Sequence, residues 1–217
     1  MIKRMTLLSR KEGAAFSDFR AYWAGCHADL ALCMEGITSY TQNRVEKILW
    51  KHADAEGCFL VDGIVELCFE NDEVMSVAQR SATGSKYIPD DEPNFLRGWS
   101  LCVVEHEDAF PEPLGVKVLV VAAMKDRADR DAFRKAVVSA KEADGTAAQM
   151  SFNWTTRTAT RERLWSEPVP PDVLTALWFE NTAQAHSAFE ADGALVRAIS
   201  LLSNRAAAYL IDPLVLK

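Results

Sequence analysis

The sequence predicts an α+β protein made of two βαββαβ repeats in tandem, and three observations carry that expectation. CFENDEVMSVAQRS at 68–81 is echoed by WFENTAQAHSAFEA at 178–191, each with Phe-Glu-Asn closing an apolar run and Asn at a helix N-cap position. SDFRAYW at 17–23 has a fainter counterpart in DAFRKAV at 131–137, at about the same separation. Segments of alternating polarity and segments of helical period follow one another in the same order in both halves.

In the first half, strands are expected near 2–8, 37–48, 61–69 and 99–106, with helices near 15–34 and 72–82. In the second half, strands are expected near 116–124, 147–160, 173–179 and 205–211, with helices near 127–143 and 182–202. PEPLG at 111–115 breaks any continuation between them, which gives repeats at 1–110 and 116–217 with a boundary between about 108 and 115. Each repeat is the split-βαβ, ferredoxin-like unit, an antiparallel sheet with both helices on one face. The other face needs a cover. In VDGIVELCF, Ile64 and Cys68 alternate with Val61, Val65, Leu67 and Phe69, so both faces of that strand are apolar. Two such sheets packed face to face satisfy this within one chain, as an intrachain dimeric α+β barrel. A further symmetric homodimer is compatible with this design but not needed to close it.

Composition narrows the function classes. The 217 residues are 49% hydrophobic and 25% charged, as in a soluble globular protein. The net charge of -7 and the lack of a basic run argue against nucleic acid. No apolar stretch approaches the roughly 20 residues of a membrane span. MIKRMTLLSR lacks the apolar core of a signal peptide, so a cytoplasmic protein is expected. The five cysteines, at 26, 33, 58, 68 and 102, are odd in number and show no CxxC spacing, which fits buried free thiols. No phosphate loop, dinucleotide fingerprint, nucleophile elbow or HExxH occurs, and the histidines at 27, 52, 106 and 186 never recur at metal-ligand spacing. No metal site and no cofactor are expected. EHED at 105–108 reads as an acidic surface patch, and Phe152-Asn153-Trp154 as core or cavity wall.

FRAYWAGCHADL at 19–30 raises the functional question. Phe19, Trp23, His27 and Leu30 fall on one helical stripe, so an imidazole faces inward. His27 is either a hydrogen-bonded core residue or a catalytic acid/base with an ordinary pKa near 6.5. Trp23, one turn earlier, offers a flat wall for an aromatic substrate. On ITSYTQNRVEKI, Tyr40 and Gln42 share one face and Asn43 takes the other, so Tyr40 and Asn43 are alternative substrate-binding candidates. Asp62 and Glu66 share a face and are further substrate-binding candidates, as carboxylates. The preferred reading of that pair is a salt bridge in the inter-sheet space, with Arg4 as partner. Asp91 and Glu92, before Phe95, read either as a gate or as a solvated acidic loop.

The first half resembles the EthD family of the dimeric α+β barrel superfamily. The resemblance rests on RMTLLSRKEG, FSDFRAYWAGCHADL, GITSYTQNRV, DGIVELCFEN and DDEPNFL, and above all on Tyr22-Trp23 followed by His27. It covers roughly residues 2–107. In the second half Val137 stands for Trp23 and Lys141 for His27, so any family site is expected to be single. The resemblance implies chemistry without an organic cofactor on small aromatic or polyketide-like molecules. Fungal relatives are described as decarboxylases and dehydratases, and neighbouring families include lactone isomerases, cofactor-free monooxygenases and haem enzymes. The function expected is a cofactor-independent lyase or isomerase, of dehydratase or decarboxylase type, acting on a small cyclic or aromatic compound through His27. The alternatives are a non-catalytic small-molecule binder or assembly protein and, third, a haem-binding member.

Overall fold

The computed structural model describes residues 1–52, 59–107, 115–126, 129–145 and 147–217. The expected linker at 111–114, most of the expected boundary, and Cys58 lie outside the described residues.

Alternating and apolar runs become strands β1 (Ile2–Arg10), β2 (Ile37–His52), β3 (Gly63–Phe69) and β4 (Leu96–His106) in the first half. The second half supplies β5 (Val116–Met124), β6 (Ala147–Ala159), β7 (Val173–Phe179) and β8 (Ser203–Val215). The strand order around the sheet is β1-β3-β2-β8-β5-β7-β6-β4, a closed eight-stranded barrel in which every pairing is antiparallel. Each half thus contributes the ferredoxin-like order, and the fold class expected from the sequence is the one observed. One detail differs. The two sheets oppose each other across the interior as expected, but they are also hydrogen-bonded along both edges, β2 to β8 and β4 to β6. Closure satisfies the backbone groups that open edge strands would leave unpaired.

The Phe-Glu-Asn echo has a structural counterpart at the helix starts. Asn71 caps α3 (Asp72–Arg80) by accepting from the Val74 amide, and Asn181 caps α6 (Thr182–Ala188) by accepting from that of Gln184. The helix expected over 182–202 is broken, since α7 (Ala194–Leu202) restarts after Gly193. The other helices are α1 (Phe16–Tyr22), α2 (Ala28–Leu32), a short α4 (Ile88–Asp91) and α5 (Arg130–Asp144).

Three cores follow from strand alternation. The barrel interior holds Met5, Leu7, Ile64, Cys102, Leu119, Val121, Leu174 and Tyr209, and so is packed rather than open. The other two cores lie between each half's helices and its own sheet. Phe152 and Trp154 stack in the second of these, as core. Cys68 and Cys102 are buried free thiols, whereas Cys26 and Cys33 are exposed on the helix surface, contrary to expectation.

Candidate functional site

The site is built on a break in the first helix. The continuous helix expected over 15–34 is interrupted by a π-helical turn, Trp23–His27, with non-helical Gly25 at φ -98, ψ -108. Wide turns of this kind recur at functional sites because they re-aim the side chains that follow. The Trp23 carbonyl accepts a hydrogen bond from Gln42 Nε2 at 2.7 Å, which ties the break to β2. The Trp23 ring is fully buried against Gly63, where an added Cβ would stand 2.7 Å from its Cη2.

His27 leaves this turn pointing inward, 7% exposed, with its ring centroid 4.7 Å from that of Phe95. Its Nδ1 lies 2.8 Å from Asp91 Oδ2. Tyr22 donates to Asp91 Oδ1 at 2.6 Å, and Asn94 braces both from 3.3 Å. Burial lowers the His27 pKa, and the Asp91 carboxylate only partly restores it. Burial opposes ionisation of Asp91, but hydrogen bonds from Tyr22 and His27 outweigh it and hold the carboxyl below its ordinary range. The stable form near neutrality is therefore a neutral imidazole that donates Nδ1–H to an ionised carboxylate. Nε2 is left as the free lone pair, with no hydrogen bond to it among the described residues.

The sheet beneath carries an unusual polar set. Arg4, Leu67 and Tyr40 form one row across β1, β3 and β2, and Thr6, Val65 and Gln42 the next. Arg4 is 8% exposed, Tyr40 and Gln42 are fully buried, and Gln42 Nε2 also reaches the Tyr40 hydroxyl at 2.9 Å. Burial pushes the Tyr40 pKa up to about 12, so its phenol stays protonated. Glu92, 3% exposed, pairs with Arg161 at 2.8 Å, and that guanidinium lies over the Trp99 ring. The second repeat lacks this set. By strand register, with Val118 opposite Leu177 as Arg4 is opposite Leu67, the places of Arg4, Tyr40 and Gln42 are taken by Val118, Met150 and Phe152.

Of the residues singled out from sequence, the structure brings Trp23, Tyr40 and His27 into one helix–sheet compartment. It does not bring Asn43, Asp62 or Glu66 there. Asn43 and Glu66 point into the barrel, where Lys117 Nζ binds Asn43 Oδ1 at 2.8 Å and Glu66 Oε1 at 2.6 Å, and Lys3 binds Glu66 Oε2 at 2.8 Å. Asp62 sits at the rim and binds Arg10 through that residue's amide and Nε. The inter-sheet salt bridge exists, but its cations are Lys3 and Lys117 rather than Arg4. The reason is parity: Arg4 is in register with Leu67 and faces the helices, one residue out of phase with Glu66. Asp91, read from sequence as an element of a gate or a solvated loop, is instead the anchor of His27. Its only sequence signal was its place in DDEPNFL.

Comparison with known proteins bears on the fold of the whole chain and on the family resemblance of its first half. Residues 11–98 match the EthD domain model, which covers the kinked helix, β2 and β3 but not β1 or most of β4, and under half of the chain. No curated protein matches the chain in sequence. Among solved structures, an anthrone oxidase-like protein is similar with a TM-score of 0.66 at 9% identity, covering 99% of this chain and 92% of its own. A monooxygenase candidate from Lactobacillus acidophilus NCFM is similar with a TM-score of 0.52 at 11% identity, covering 100% and 99%. A monooxygenase candidate from Fusobacterium nucleatum gives 0.53 at 9% identity, covering 97% and 91%. Identities this low establish the shared dimeric α+β barrel fold. The expected cofactor-independent lyase or isomerase, with its dehydratase and decarboxylase variants, is overturned here: the structures that share the fold over nearly the entire chain are named for oxidation and oxygenation.

The donor chemistry of the site also bears on haem, the third alternative raised by the sequence. A haem-ligating imidazole has one free nitrogen and gives its other N–H to a carboxylate or carbonyl. His27 has this arrangement, with Nε2 free and Nδ1 on Asp91. The donor set fits, and His27 is the residue that would hold the iron. No group of three His, Cys, Asp or Glu able to hold a bare metal ion occurs among the described residues. No helix among them is long and apolar enough to cross a membrane.

Proposed function

We propose that the first repeat is an EthD-type small-molecule site of an oxidation–reduction protein, lying between the kinked helix and its own sheet, with His27 as the working group. The observation that carries this reading is the His27–Asp91 pair, with His27 buried against Phe95, which stacks in turn on Phe19 beside Trp23. A partly buried carboxylate on Nδ1 fixes the tautomer and makes Nε2 a base. Removing a proton from an acidic hydroxyl or activated carbon of an aromatic substrate places that proton on Nε2 and leaves an electron-rich anion; dioxygen, the co-substrate this reading requires, takes electrons from the anion more readily than from the neutral molecule. The aromatic side chains exclude water and give that substrate a flat surface.

The experiment is oxygen uptake with anthrone as the probe, combined with the imidazole resonances of His27. Uptake that falls by roughly 10²-fold or more in His27→Ala, with anthrone shifting the His27 resonances of the parent protein, supports the reading. Uptake unaffected by His27→Ala, or no uptake together with unmoved resonances, sinks it.

The same carboxylate-bound imidazole favours a second reading, in which His27 Nε2 ligates a haem. Haem, when bound, supplies one-electron and dioxygen chemistry. Stoichiometric uptake of added haemin, with an absorbance band that His27→Ala abolishes, would select this reading. Identical haemin titrations of the two proteins would remove it.

A further inference from the structure

Arg4 occupies an expensive position, with no anion bonded to it among the described residues. It is 8% exposed, its side chain makes no hydrogen bond or ion pair among the described residues, and its Nε is buried without a partner; the guanidinium lies over the Phe69 ring, 5.8 Å from its centroid, a contact that supplies no counter-charge. A buried charge normally brings its own partner, because an uncompensated one destabilises the fold. The nearest charged and titratable groups do not supply one. Glu92 is committed to Arg161, whose like charge acts on Arg4 more strongly than the Glu92 carboxylate does, and Tyr40 remains a neutral phenol. Burial, then Arg161, lowers the Arg4 pKa to about 10, which leaves it a cation at neutral pH. The fold itself has no need of a charge here, since the register-equivalent residue in the second repeat is fully buried Val118.

We propose that Arg4 anchors an oxyanion of the ligand, so that the site takes a small aromatic anion, a carboxylate or a phenolate. This rests on the reading of the helix–sheet compartment given above. Arg4 presents N–H donors from β1 two strands away from Tyr40, on the sheet face that the His27 helix covers. Gln42, in the adjacent row, holds a buried Oε1 that is also without a partner. A guanidinium and an amide oxygen together match a ligand with an oxyanion and a neighbouring hydrogen-bond donor. The aromatic rings above define the rest of the ligand as flat and apolar.

Two measurements on the full chain test this. The first needs no ligand. Arg4→Met removes an unpaired buried charge and is expected to raise the Tm of the free protein; a lower Tm, or failure to fold, would mean that Arg4 has a structural partner and overturns the proposal. The second titrates 2-naphthoate, 2-naphthol and neutral 2-naphthamide, following the His27 resonances. Naphthoate binding at least tenfold tighter than naphthamide, with the preference lost in Arg4→Met and partly kept in Arg4→Lys, identifies the carboxylate. Naphthol binding that strengthens with pH in the parent protein and not in Arg4→Met identifies the phenolate. If all three bind alike, or Arg4→Met binds as the parent does, the anion anchor is wrong while the aromatic site survives. If none binds and His27 does not respond, the site reading fails and this proposal falls with it.

Discussion

His27 Nδ1 and Asp91 Oδ2 meet at 2.8 Å although 64 positions separate them in the chain. The contact joins the kinked first helix to the last residue of α4, shortly before β4, and brings Tyr22 and Asn94 onto the same carboxylate. It converts a lone inward-facing histidine into an oriented one.

Asp91→Asn removes the charge that partly offsets the burial of His27. The His27 pKa, already below its ordinary value, is expected to fall by about another unit, the effect of losing one adjacent opposite charge. The Tyr22 pKa, raised first by its hydrogen bond to Asp91, is expected to return toward 10.0. NMR titration of both side chains checks this, and an unchanged or higher His27 pKa would contradict it.

The same shift predicts an acid-sensitive fold. The folded-state pKa of His27 lies below the 6.5 of an unperturbed imidazole, so the unfolded chain takes up the proton first. The contribution is fully present above pH 6.5 and is lost as pH falls below it toward the folded value. Tm measured from pH 7.5 to pH 5 is expected to decline more steeply for the parent protein than for His27→Ala.

Gly63 is required by the Trp23 ring. Gly63→Ala places a methyl group 2.7 Å from Cη2 and is expected to cost about 1–3 kcal/mol as overpacking. Urea unfolding measures it, and combining the change with Trp23→Phe is expected to recover part of the loss. Fully additive effects would show that the two side chains do not compete for the space.

Glu66 holds together two cations in the barrel. Its burial is outweighed by Lys117 and Lys3, which keep its pKa well below the ordinary 4.5. Glu66→Gln removes the carboxylate that Lys3 and Lys117 share and is expected to destabilise by about 3–5 kcal/mol at pH 7. The folded-state pKa is depressed, so the contribution exists above pH 4.5 and disappears on acidification below it. The gap between parent and variant is expected to narrow in that acid range when denaturation is followed by circular dichroism.

Much of the fold was legible because duplication and periodicity are local signals. The repeated Phe-Glu-Asn fixed two helix starts, and alternation located all eight strands, since a strand with apolar groups on both faces, such as GIVELCF, can only be covered twice. The stripe of Phe19, Trp23 and His27 announced a buried imidazole correctly. Helix continuity was less legible. Nothing in the local pattern distinguishes an α-helical turn from the π-helical one at Trp23–His27, whose carbonyl partner, Gln42, comes from another element.

By itself, then, the sequence determined the element order, the two repeats and the inward face of His27, because each depends on residues a few positions apart. The tertiary structure alone decided which charges meet. Strand register turned Arg4 toward the helices and Glu66 into the barrel, giving Glu66 two lysines and leaving Arg4 with no bonded anion among the described residues. It also delivered Asp91 to His27 and joined the sheet edges into a closed barrel. These are long-range pairings, and a shift of one residue in register reverses every one of them on a strand.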